Sequence, residues 1–207
     1  MARIGIVDYG MGNLRSVGGA VERVGHSPVI TADPSALDGC DKLILPGVGA
    51  FPEAMANLTE RGLVAALDTM VRAQQKPILG ICLGAQLLTR CSSEFVLTPG
   101  LGWVDAKVER IADPAAPDLL VPHVGWNRVT DRCDCILFRD IPDNALFYYV
   151  HSYRIGLEAN SAVVGQCIYG PPFAAVLATG NVYGTQFHPE KSQRHGLRLL
   201  ENFITHG

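Results

Sequence analysis

Apolar and polar positions follow two alternating patterns along this chain. Short apolar runs bounded by turn-forming residues, which are typical of buried strands, lie at residues 4–7, 28–31, 42–45, 77–81, 146–150, 162–167, 173–177 and 182–187. Between several of these runs the apolar residues recur at helical spacing, as in the series Val17, Ala20, Val21 and Val24, which Gly25 closes. Strands that alternate with helices predict an α/β fold with a mixed, mostly parallel sheet flanked by helices.

The remaining segments fit the same architecture. Near-helical spacing of apolar residues over 58–71 predicts a helix, and the apolar residues of 197–203 mark a last helix. The region 98–139 is less regular, which predicts antiparallel or extended pieces there. Because the chain shows no internal repeat and no low-complexity linker, the sequence predicts a single three-layer domain over residues 1–207.

Composition and charge narrow the range of partners. The chain has 207 residues and a formal net charge of −3, without a run of Lys and Arg. This balance argues against nucleic acid or a membrane surface as the main partner. The first apolar run is too short for a signal peptide, and no segment approaches the roughly 20 apolar residues that span a bilayer. We therefore expect a cytoplasmic protein.

The cysteines do not predict a disulfide framework or a metal site. The six residues are scattered without a regular spacing, and bridges are rare in the cytoplasm. Cys133 and Cys135 lack the second pair of ligands that a zinc site requires, so we interpret them as ordinary thiols. The Gly10-Met11-Gly12 segment lacks the third glycine of a dinucleotide fingerprint. The sequence thus predicts neither a metal nor a cofactor.

One cysteine has the surroundings of a nucleophile. Residues 80–86 read GICLGAQ, and they place Cys82 between an apolar strand and what looks like the first turn of a helix. Free backbone N–H groups at a helix start lower the pKa of a thiol. We expect Gly80 and Gly84 to allow the sharp turn and a close approach of substrate.

The partners of such a nucleophile lie far downstream. His188 and Glu190 stand two residues apart in the segment 186–190, QFHPE. Cysteine, histidine and an orienting carboxylate are the parts of covalent acyl-transfer chemistry. The predicted roles are a nucleophile for Cys82, a general base and acid for His188, and an orienting acid for Glu190.

With these two motifs the chain resembles the class I (triad) glutamine amidotransferases over nearly its whole length. Further segments resemble one branch, the glutaminase subunits of imidazole glycerol phosphate synthase in histidine biosynthesis. The segments that carry this second resemblance are 8–17 (DYGMGNLRSV), 45–51 (LPGVGAF), 122–127 (PHVGWN), 150–153 (VHSY) and 188–192 (HPEKS).

The resemblance implies further site residues. The implied oxyanion donors are backbone N–H groups of Gly47, Val48, Gly49 and Leu83, and the segment 47–49 is expected to turn a peptide N–H toward the site. The residues implied in glutamine binding are Gln86, Glu94, His151, Ser152 and Tyr153. The product ammonia is expected to pass to a (β/α)₈-barrel cyclase subunit within a heterodimer. The positions expected to face that partner are Asn13, His123, Trp126, Tyr148 and Lys191.

Several alternatives stay open at this point. Ala85, where methionine is usual, and the segment 192–196 (SQRHG) resemble a paralogous group that supplies ammonia to surface-polysaccharide sugar amidation. A stand-alone cysteine hydrolase on a similar scaffold and a catalytically silent subunit are the other classes. His123 and His151 could each satisfy a buried hydrogen bond instead of meeting a ligand or partner, and Trp126 could belong to the core.

Overall fold

The computed structural model describes residues 1–112, 117–157 and 162–207. In these ranges the strands are β1 Arg3–Val7, β2 Ser27–Thr31, β3 Lys42–Gly47, β4 Ile78–Cys82, β5 Thr89–Ser92, β6 Thr98–Pro99, β7 Val104–Arg110, β8 His123–Arg128, β9 Leu146–His151, β10 Tyr153–Ile155, β11 Val163–Ile168, β12 Pro172–Thr179 and β13 Val182–Thr185. The helices of the same ranges are α1 Leu14–Arg23, α2 Pro34–Asp38, α3 Phe51–Glu60, α4 Leu63–Asp68, α5 Leu83–Leu87 and α6 Gln193–His206. A π-helical turn follows α4 at Thr69–Ala73, and short 3₁₀ turns occupy Ile136–Phe138 and Pro189–Lys191.

A central sheet organises the described part of the chain. Its strand order is β11-β12-β13-β4-β3-β1-β2. The pairs from β13 to β2 are parallel, whereas β11, β12 and β13 pair antiparallel at the other edge. The mixed, mostly parallel sheet that the apolar runs predict is therefore confirmed.

Helices cover both faces of this sheet because successive strand residues point to opposite sides. In β3, Ile44 belongs to a core that includes the apolar sides of α1 and α6. Its neighbours Leu43 and Leu45 belong to a second core, formed with α3, α4 and α5. Both cores consist of side chains that are almost fully buried. The result is the helix–sheet–helix layering expected from the sequence.

The helical pattern over 58–71 is interrupted in the structure. Gly62 adopts a left-handed conformation (φ 68°) between α3 and α4, so the predicted helix is two short helices and a π-helical turn. A glycine tolerates this conformation without steric cost, and α3 ends there. The irregular region 98–139 contains extended pieces as predicted, although its residues 113–116 lie outside the described ranges.

A small sheet next to the turn between β4 and α5 was not predicted. Strands β10, β7, β5 and β6 form it, and β5 follows α5 after only one residue. Strands β5 and β6 are short and mostly polar, as in the segment TRCS of β5, so they lack the apolar run that marks a strand. Strand β7, whose buried and exposed residues alternate, lies in the region 98–139 where extended pieces are expected. Similarly, the predicted run 182–187 ends as a strand at Thr185.

The parallel strands bring the two motifs to one edge of the central sheet. In the register of β3 and β4, Gly47 lies beside Cys82, and in that of β13 and β4, Thr185 lies beside Ile81. His188 follows β13 by three residues. Ligand sites of α/β sheets form outside the carboxyl ends of their strands, and this edge carries the candidate site. Among the described residues, no helix combines the length and apolarity needed to cross a bilayer.

Candidate active site

Cys82 occupies a strained turn between β4 and α5. It is the last residue of the strand and has φ 54° and ψ −111°, a conformation that residues with a side chain rarely adopt. Backbone strain of this kind is stored at functional sites and persists only where the surrounding structure enforces it. The side chain is 6% exposed. The strand-to-helix elbow expected from the sequence is thus present, with the cysteine at its apex.

The glycines that flank the cysteine serve a different purpose from the one expected. Neither Gly80 nor Gly84 has a positive φ. A β-carbon on Gly84 would lie 1.7 Å from the carbonyl oxygen of Leu45, and one on Gly80 would lie 2.7 Å from backbone atoms of Ala85. These glycines therefore allow α5 to pack directly against the backbone of β3 and β4, and the strain of the turn is borne by Cys82.

We predict that Gly84→Ala destabilises the protein by at least about 3 kcal/mol, because the obstacle is a backbone carbonyl and not a flexible side chain. The matched control is Gly19→Ala in α1, where an added β-carbon meets nothing within 4 Å. That variant should be stabilised by about 0.5–1 kcal/mol. Denaturant unfolding of both variants checks the pair, and equal effects would contradict this role of Gly84.

His188 and Glu190 form a buried pair close to the sulfur. His188 Nδ1 lies 2.8 Å from Glu190 Oε1, and the two side chains are 2% and 1% exposed. Burial alone would lower the pKa of His188, but the charge of Cys82 and the hydrogen bond and charge of Glu190 outweigh it and raise that pKa to about 10. The histidine is therefore held in its protonated form at neutral pH, next to a cysteine that can carry the matching negative charge.

The tautomer of His188 follows from this contact. A carboxylate only accepts hydrogen bonds, so Nδ1 carries a proton and donates it to Glu190. The second nitrogen, Nε2, has no hydrogen-bond partner among the described residues. It is the atom left to exchange a proton with the sulfur or with a substrate. An acyl-transfer triad requires this arrangement, with one ring nitrogen bound to the carboxylate and the other available for proton transfer.

A cavity of ≈350 Å³ joins these groups to the residues implied in substrate binding. Its lining includes the predicted residues Val48, Gly49, Cys82, Leu83, Gln86, Glu94, His151, Ser152, Tyr153 and His188. Pro122 and Val150 complete the lining. The volume lies at the lower end of the roughly 300–1,000 Å³ range of small-molecule sites. Gly47 and Glu190 do not line the cavity.

Gln186 is a residue of the site that the sequence reasoning did not single out. Its Nε2 donates to Cys82 Sγ at 3.8 Å, and its Oε1 accepts from Gln86 Nε2 at 3.1 Å. Gln186 is 1% exposed and precedes the HPE motif by two positions. A polar residue near the end of the predicted strand run 182–187, two positions before the predicted base, was the signal that could have identified it. It links the elbow to the strand end that carries His188.

Two polar residues of the cavity are anchored by the fold. Glu94 Oε2 accepts a hydrogen bond of 2.8 Å from the backbone N–H of Phe51, the first residue of α3. Gln86 uses its amide protons for Tyr153 O, at 2.9 Å, and for Gln186. These contacts leave the other carboxylate oxygen of Glu94 and the amide oxygen of Gln86 as the groups available to a ligand. Both are acceptors, as the recognition of an ammonium group requires.

His151 and His123 form a neutral hydrogen-bonded chain in the wall of the cavity. His151 Nδ1 lies 2.8 Å from Tyr153 O and must donate to it, and His151 Nε2 lies 3.0 Å from His123 Nδ1. Burial lowers the pKa of His151 to about 3 and that of His123 to about 4. With both rings neutral, His151 Nε2 accepts from His123 Nδ1–H. The chain fixes the orientation of the His151 ring.

His123 does not face outward as the resemblance implied. It is 3% exposed and stacks on Tyr149 and Tyr169, with ring centroids 4.9 and 3.9 Å away. The buried hydrogen bond expected as the alternative is present, and His123 offers little of its side chain to a partner in this structure. The reason is its place in the β8–β9 ribbon, where it pairs directly with His151.

The other positions expected to face a partner are accessible to different degrees. Trp126 is 45% exposed and meets the ring of Tyr148 edge to face, with centroids 5.8 Å apart. The exposed Lys191 places Nζ 5.9 Å from the centroid of the Tyr148 ring. We call Trp126 and Tyr148, together with the neighbouring Lys191, the aromatic surface. Asn13 is half-buried at the start of α1.

The remaining cysteines have no comparable surroundings. All six are free; Cys40 and Cys167 are buried, and Cys133 is exposed. Burial raises the pKa of Cys167 to about 12 and also raises that of Cys135. Within the described ranges, no group of three or more His, Cys, Asp or Glu side chains could hold a metal ion. Cys82 is the cysteine that shares a cavity with a histidine held by a carboxylate.

Comparison with known proteins agrees with this geometry. The model of the family described as glutamine amidotransferase class-I matches residues 6–206. The chain is 44% identical to imidazole glycerol phosphate synthase subunit HisH 2 of Nitrobacter winogradskyi, over 99% of this chain and 98% of that protein. It is 47% identical to subunit HisH of Moorella thermoacetica, over 98% and 94% of the two chains. PurLQS from Thermotoga maritima shares the fold, with a TM-score of 0.76 at 18% identity over 99% of this chain and 98% of that one. An elbow cysteine, a buried His–Glu pair and full-length similarity thus agree, and the chain belongs to the class-I glutamine amidotransferase family, among the HisH subunits of imidazole glycerol phosphate synthase.

Proposed function

We propose that this chain is a single amidotransferase domain that hydrolyses L-glutamine to glutamate and ammonia. The ammonia passes to a cyclase subunit that makes imidazole glycerol phosphate and AICAR in L-histidine biosynthesis. One observation carries the chemistry: Cys82 and His188 line the same cavity as Gln86 and Glu94. Similarity to the HisH subunits over nearly the whole chain supports the assignment of the pathway.

The reaction begins with the sulfur of Cys82 as a thiolate. It attacks the side-chain carbonyl carbon of glutamine and forms a C–S bond, while the carbonyl π electrons move to the oxygen. His188, holding the thiol proton on Nε2, donates it to the amide nitrogen, so that the C–N bond breaks and neutral ammonia departs. Glu190 holds the ring in position and stabilises its charged form.

Hydrolysis of the thioester completes the cycle. His188, now neutral, takes a proton from water, whose oxygen attacks the glutamyl carbonyl carbon. The second tetrahedral intermediate expels the sulfur, glutamate leaves, and the imidazolium–thiolate pair is restored. No cofactor or metal takes part in these steps.

The negative oxygen of both intermediates needs hydrogen-bond donors. The backbone N–H of Leu83 is one, because the first N–H groups of a helix have no partner within the helix. The second comes from the segment Gly47, Val48 and Gly49, which runs beside the elbow and reaches the cavity. Removal of one such donor costs roughly 10²–10³ in rate.

Substrate selection relies on the anchored acceptors of the cavity. The free carboxylate oxygen of Glu94 and the amide oxygen of Gln86 accept hydrogen bonds from the α-ammonium group of glutamine. Ser152 and Tyr153 line the wall beside them, and His151 holds that wall in place through Tyr153 O. A substrate without an α-ammonium group would leave these acceptors unpaired, which opposes its binding.

The ammonia needs a protected route, because in bulk water at neutral pH it is protonated and loses its nucleophilicity. We place the partner, a (β/α)₈-barrel subunit in a heterodimer, against the aromatic surface. Trp126 and Tyr148 bury a large area at low cost in conformational entropy, and Lys191 offers a positive charge to an acidic group. Asn13 lies at the rim of the same contact. His123 contributes indirectly, because its hydrogen bond orients the ring of His151.

For Trp126→Ala we expect a Kd for the cyclase subunit that is raised at least about 30-fold, since a central aromatic anchor contributes 2 kcal/mol or more. The matched control is Ile30→Ala on β2, because Ile30 has nearly the same exposure (43%) and lies at the far edge of the central sheet. Titration of the two subunits by calorimetry measures both variants. Unchanged affinity in Trp126→Ala would place the interface elsewhere.

The function as a whole is tested by glutamate release from glutamine, with the chain alone and with a histidine-pathway cyclase subunit and its ribonucleotide substrate. A low rate alone that rises by orders of magnitude with the partner would support the proposal. Turnover without any rise would favour the polysaccharide-type paralogs, which the segment 192–196 resembles. Turnover of peptides or glycated amines without turnover of glutamine would favour a stand-alone cysteine hydrolase.

A further inference from the structure

A tyrosine beneath the active site has a buried hydroxyl with no partner. Tyr9 is 0% exposed, and its oxygen makes no hydrogen bond to any described residue. Burial, and secondarily the charge of Cys82, raise the pKa of Tyr9, so the hydroxyl keeps its proton. An unpaired buried donor costs stability, and a phenylalanine of the same shape would avoid that cost. The hydroxyl therefore calls for a functional explanation.

The position of this hydroxyl is next to the segment that supplies the second oxyanion donor. Strand β1 pairs with β3 so that Ile6 lies beside Ile44. Tyr9 follows the end of β1 by two residues, and Gly47 is the last residue of β3. A β-carbon on Gly47 would lie 2.5 Å from the Tyr9 oxygen and 2.9 Å from the nitrogen of Gly84. The hydroxyl thus occupies the space that the absence of a side chain at Gly47 provides.

The two sides of this segment differ. Val48 and Gly49 line the cavity, whereas Tyr9 is fully buried and does not line it. In a planar trans peptide the N–H and the C=O point in opposite directions. If the Gly47–Val48 peptide directs its N–H into the cavity, its carbonyl oxygen points back into the protein, toward the side on which the Tyr9 hydroxyl lies.

We propose that Tyr9 is a positioning residue of the oxyanion hole, whose hydroxyl donates to the Gly47 carbonyl and thereby holds the Val48 N–H toward the substrate. The inference rests on the proposed glutaminase function and adds a residue to its machinery. It also explains why the hydroxyl is unpaired in the free chain: its acceptor is presented only when the peptide takes the orientation that acts on glutamine. Pairing of Tyr9 then offsets part of the cost of turning the peptide.

The test is Tyr9→Phe in the complex with the cyclase subunit. We expect kcat for glutamine hydrolysis to fall roughly 10- to 100-fold with little change in KM, because only the orientation of an oxyanion donor is lost. The Tm of the free chain should stay equal or rise, since an unpaired polar group is removed. The rate of Cys82 alkylation by iodoacetamide should not change. The matched control is Tyr183→Phe, which removes a tyrosine hydroxyl from the other core and should leave kcat unchanged.

A coupled variant keeps the test specific. Val48→Pro removes the N–H that Tyr9 is proposed to aim, so adding Tyr9→Phe to it should cause no further loss of kcat. Full kcat in Tyr9→Phe, or an independent loss in the double variant, would overturn the proposal. So would slower alkylation of Cys82, which would show that the hydroxyl acts on the nucleophile. Failure of the proposed function itself is distinguishable, because the unmodified complex would then release no glutamate.

Discussion

Cys82→Ala should abolish glutamine hydrolysis, lowering kcat by at least about 10⁴-fold, while the complex still makes product from added ammonia. The loss is this large because Cys82 is the only thiol in the described lining of the cavity, and a triad without its nucleophile retains only binding and oxyanion stabilisation. Ammonia-dependent synthesis should persist because it takes place on the partner. Glutamate release measures the expected loss of glutamine hydrolysis, and product formation from added ammonia measures the expected retention of synthesis.

The control for this variant is Cys133→Ala, which removes an exposed thiol away from the cavity and should leave both activities unchanged. A second result is informative about the elbow. Cys82 carries a positive φ, and alanine in that conformation is no less strained, so unfolding of Cys82→Ala should resemble that of the parent protein. Glutaminase activity in Cys82→Ala above about 1% of the parent kcat would refute the covalent mechanism.

For Glu190→Gln we expect kcat to fall roughly 10³–10⁴-fold, as for the loss of an orienting carboxylate in other triads. The amide removes one of the interactions that raise the pKa of His188, while burial continues to lower it. The parent histidine stays protonated up to a pH of about 10, and the variant histidine loses its proton at a lower pH. The positive charge of His188 that favours a thiolate at Cys82 is then weaker at neutral pH.

Alkylation by iodoacetamide measures this effect without turnover. The thiolate is the form that reacts, and a neighbouring imidazolium stabilises it. Because Glu190→Gln removes an interaction that keeps His188 protonated, we expect Cys82 to react more slowly at pH 7 in this variant than in the parent protein. The matched control is Glu201→Gln, the same substitution in a half-exposed surface pair with Arg198. An unchanged alkylation rate in Glu190→Gln would show that Glu190 does not control the histidine.

The sequence allowed the main parts of this site to be predicted because each part leaves a local signal. An apolar run that ends in a cysteine and continues as a helical turn indicates the elbow, and α1 closes at Gly25, which has φ 83° as its closing position requires. His188 and Glu190 stand two residues apart, so their contact depends little on distant structure. Parallel strands then bring their ends to one edge, which is a general property of such sheets.

What could not be predicted depends on contacts between distant segments. The role of Gly84 follows from the carbonyl oxygen of Leu45, 39 positions earlier in the chain, which no local pattern reveals. The Glu94 carboxylate binds the first N–H of α3, and His123 is buried because β8 pairs with β9. In each case the packing partner decides the environment of the residue, and a single sequence does not state which segments pack together.

The small sheet illustrates the same limit for the fold. Its strand β5 is made of four mostly polar residues and forms because the chain leaves α5 at the edge of β7. Tertiary pairing overrides a weak local preference there. The consequence for the site is direct, since β5 carries Ser92, whose hydroxyl accepts from the backbone N–H of Glu94. The position of the carboxylate that we propose to bind substrate thus rests on an element without a sequence signal.

The central claim is that glutamine becomes covalently attached to Cys82. Its most direct test is peptide mass spectrometry of the complex after incubation with a cysteine-reactive glutamine analogue. We predict one adduct, on the peptide that contains Cys82, and its loss when excess glutamine competes. The other five cysteines should remain unmodified. An adduct on another cysteine, or glutamate release by a complex whose Cys82 is fully blocked, would contradict the account.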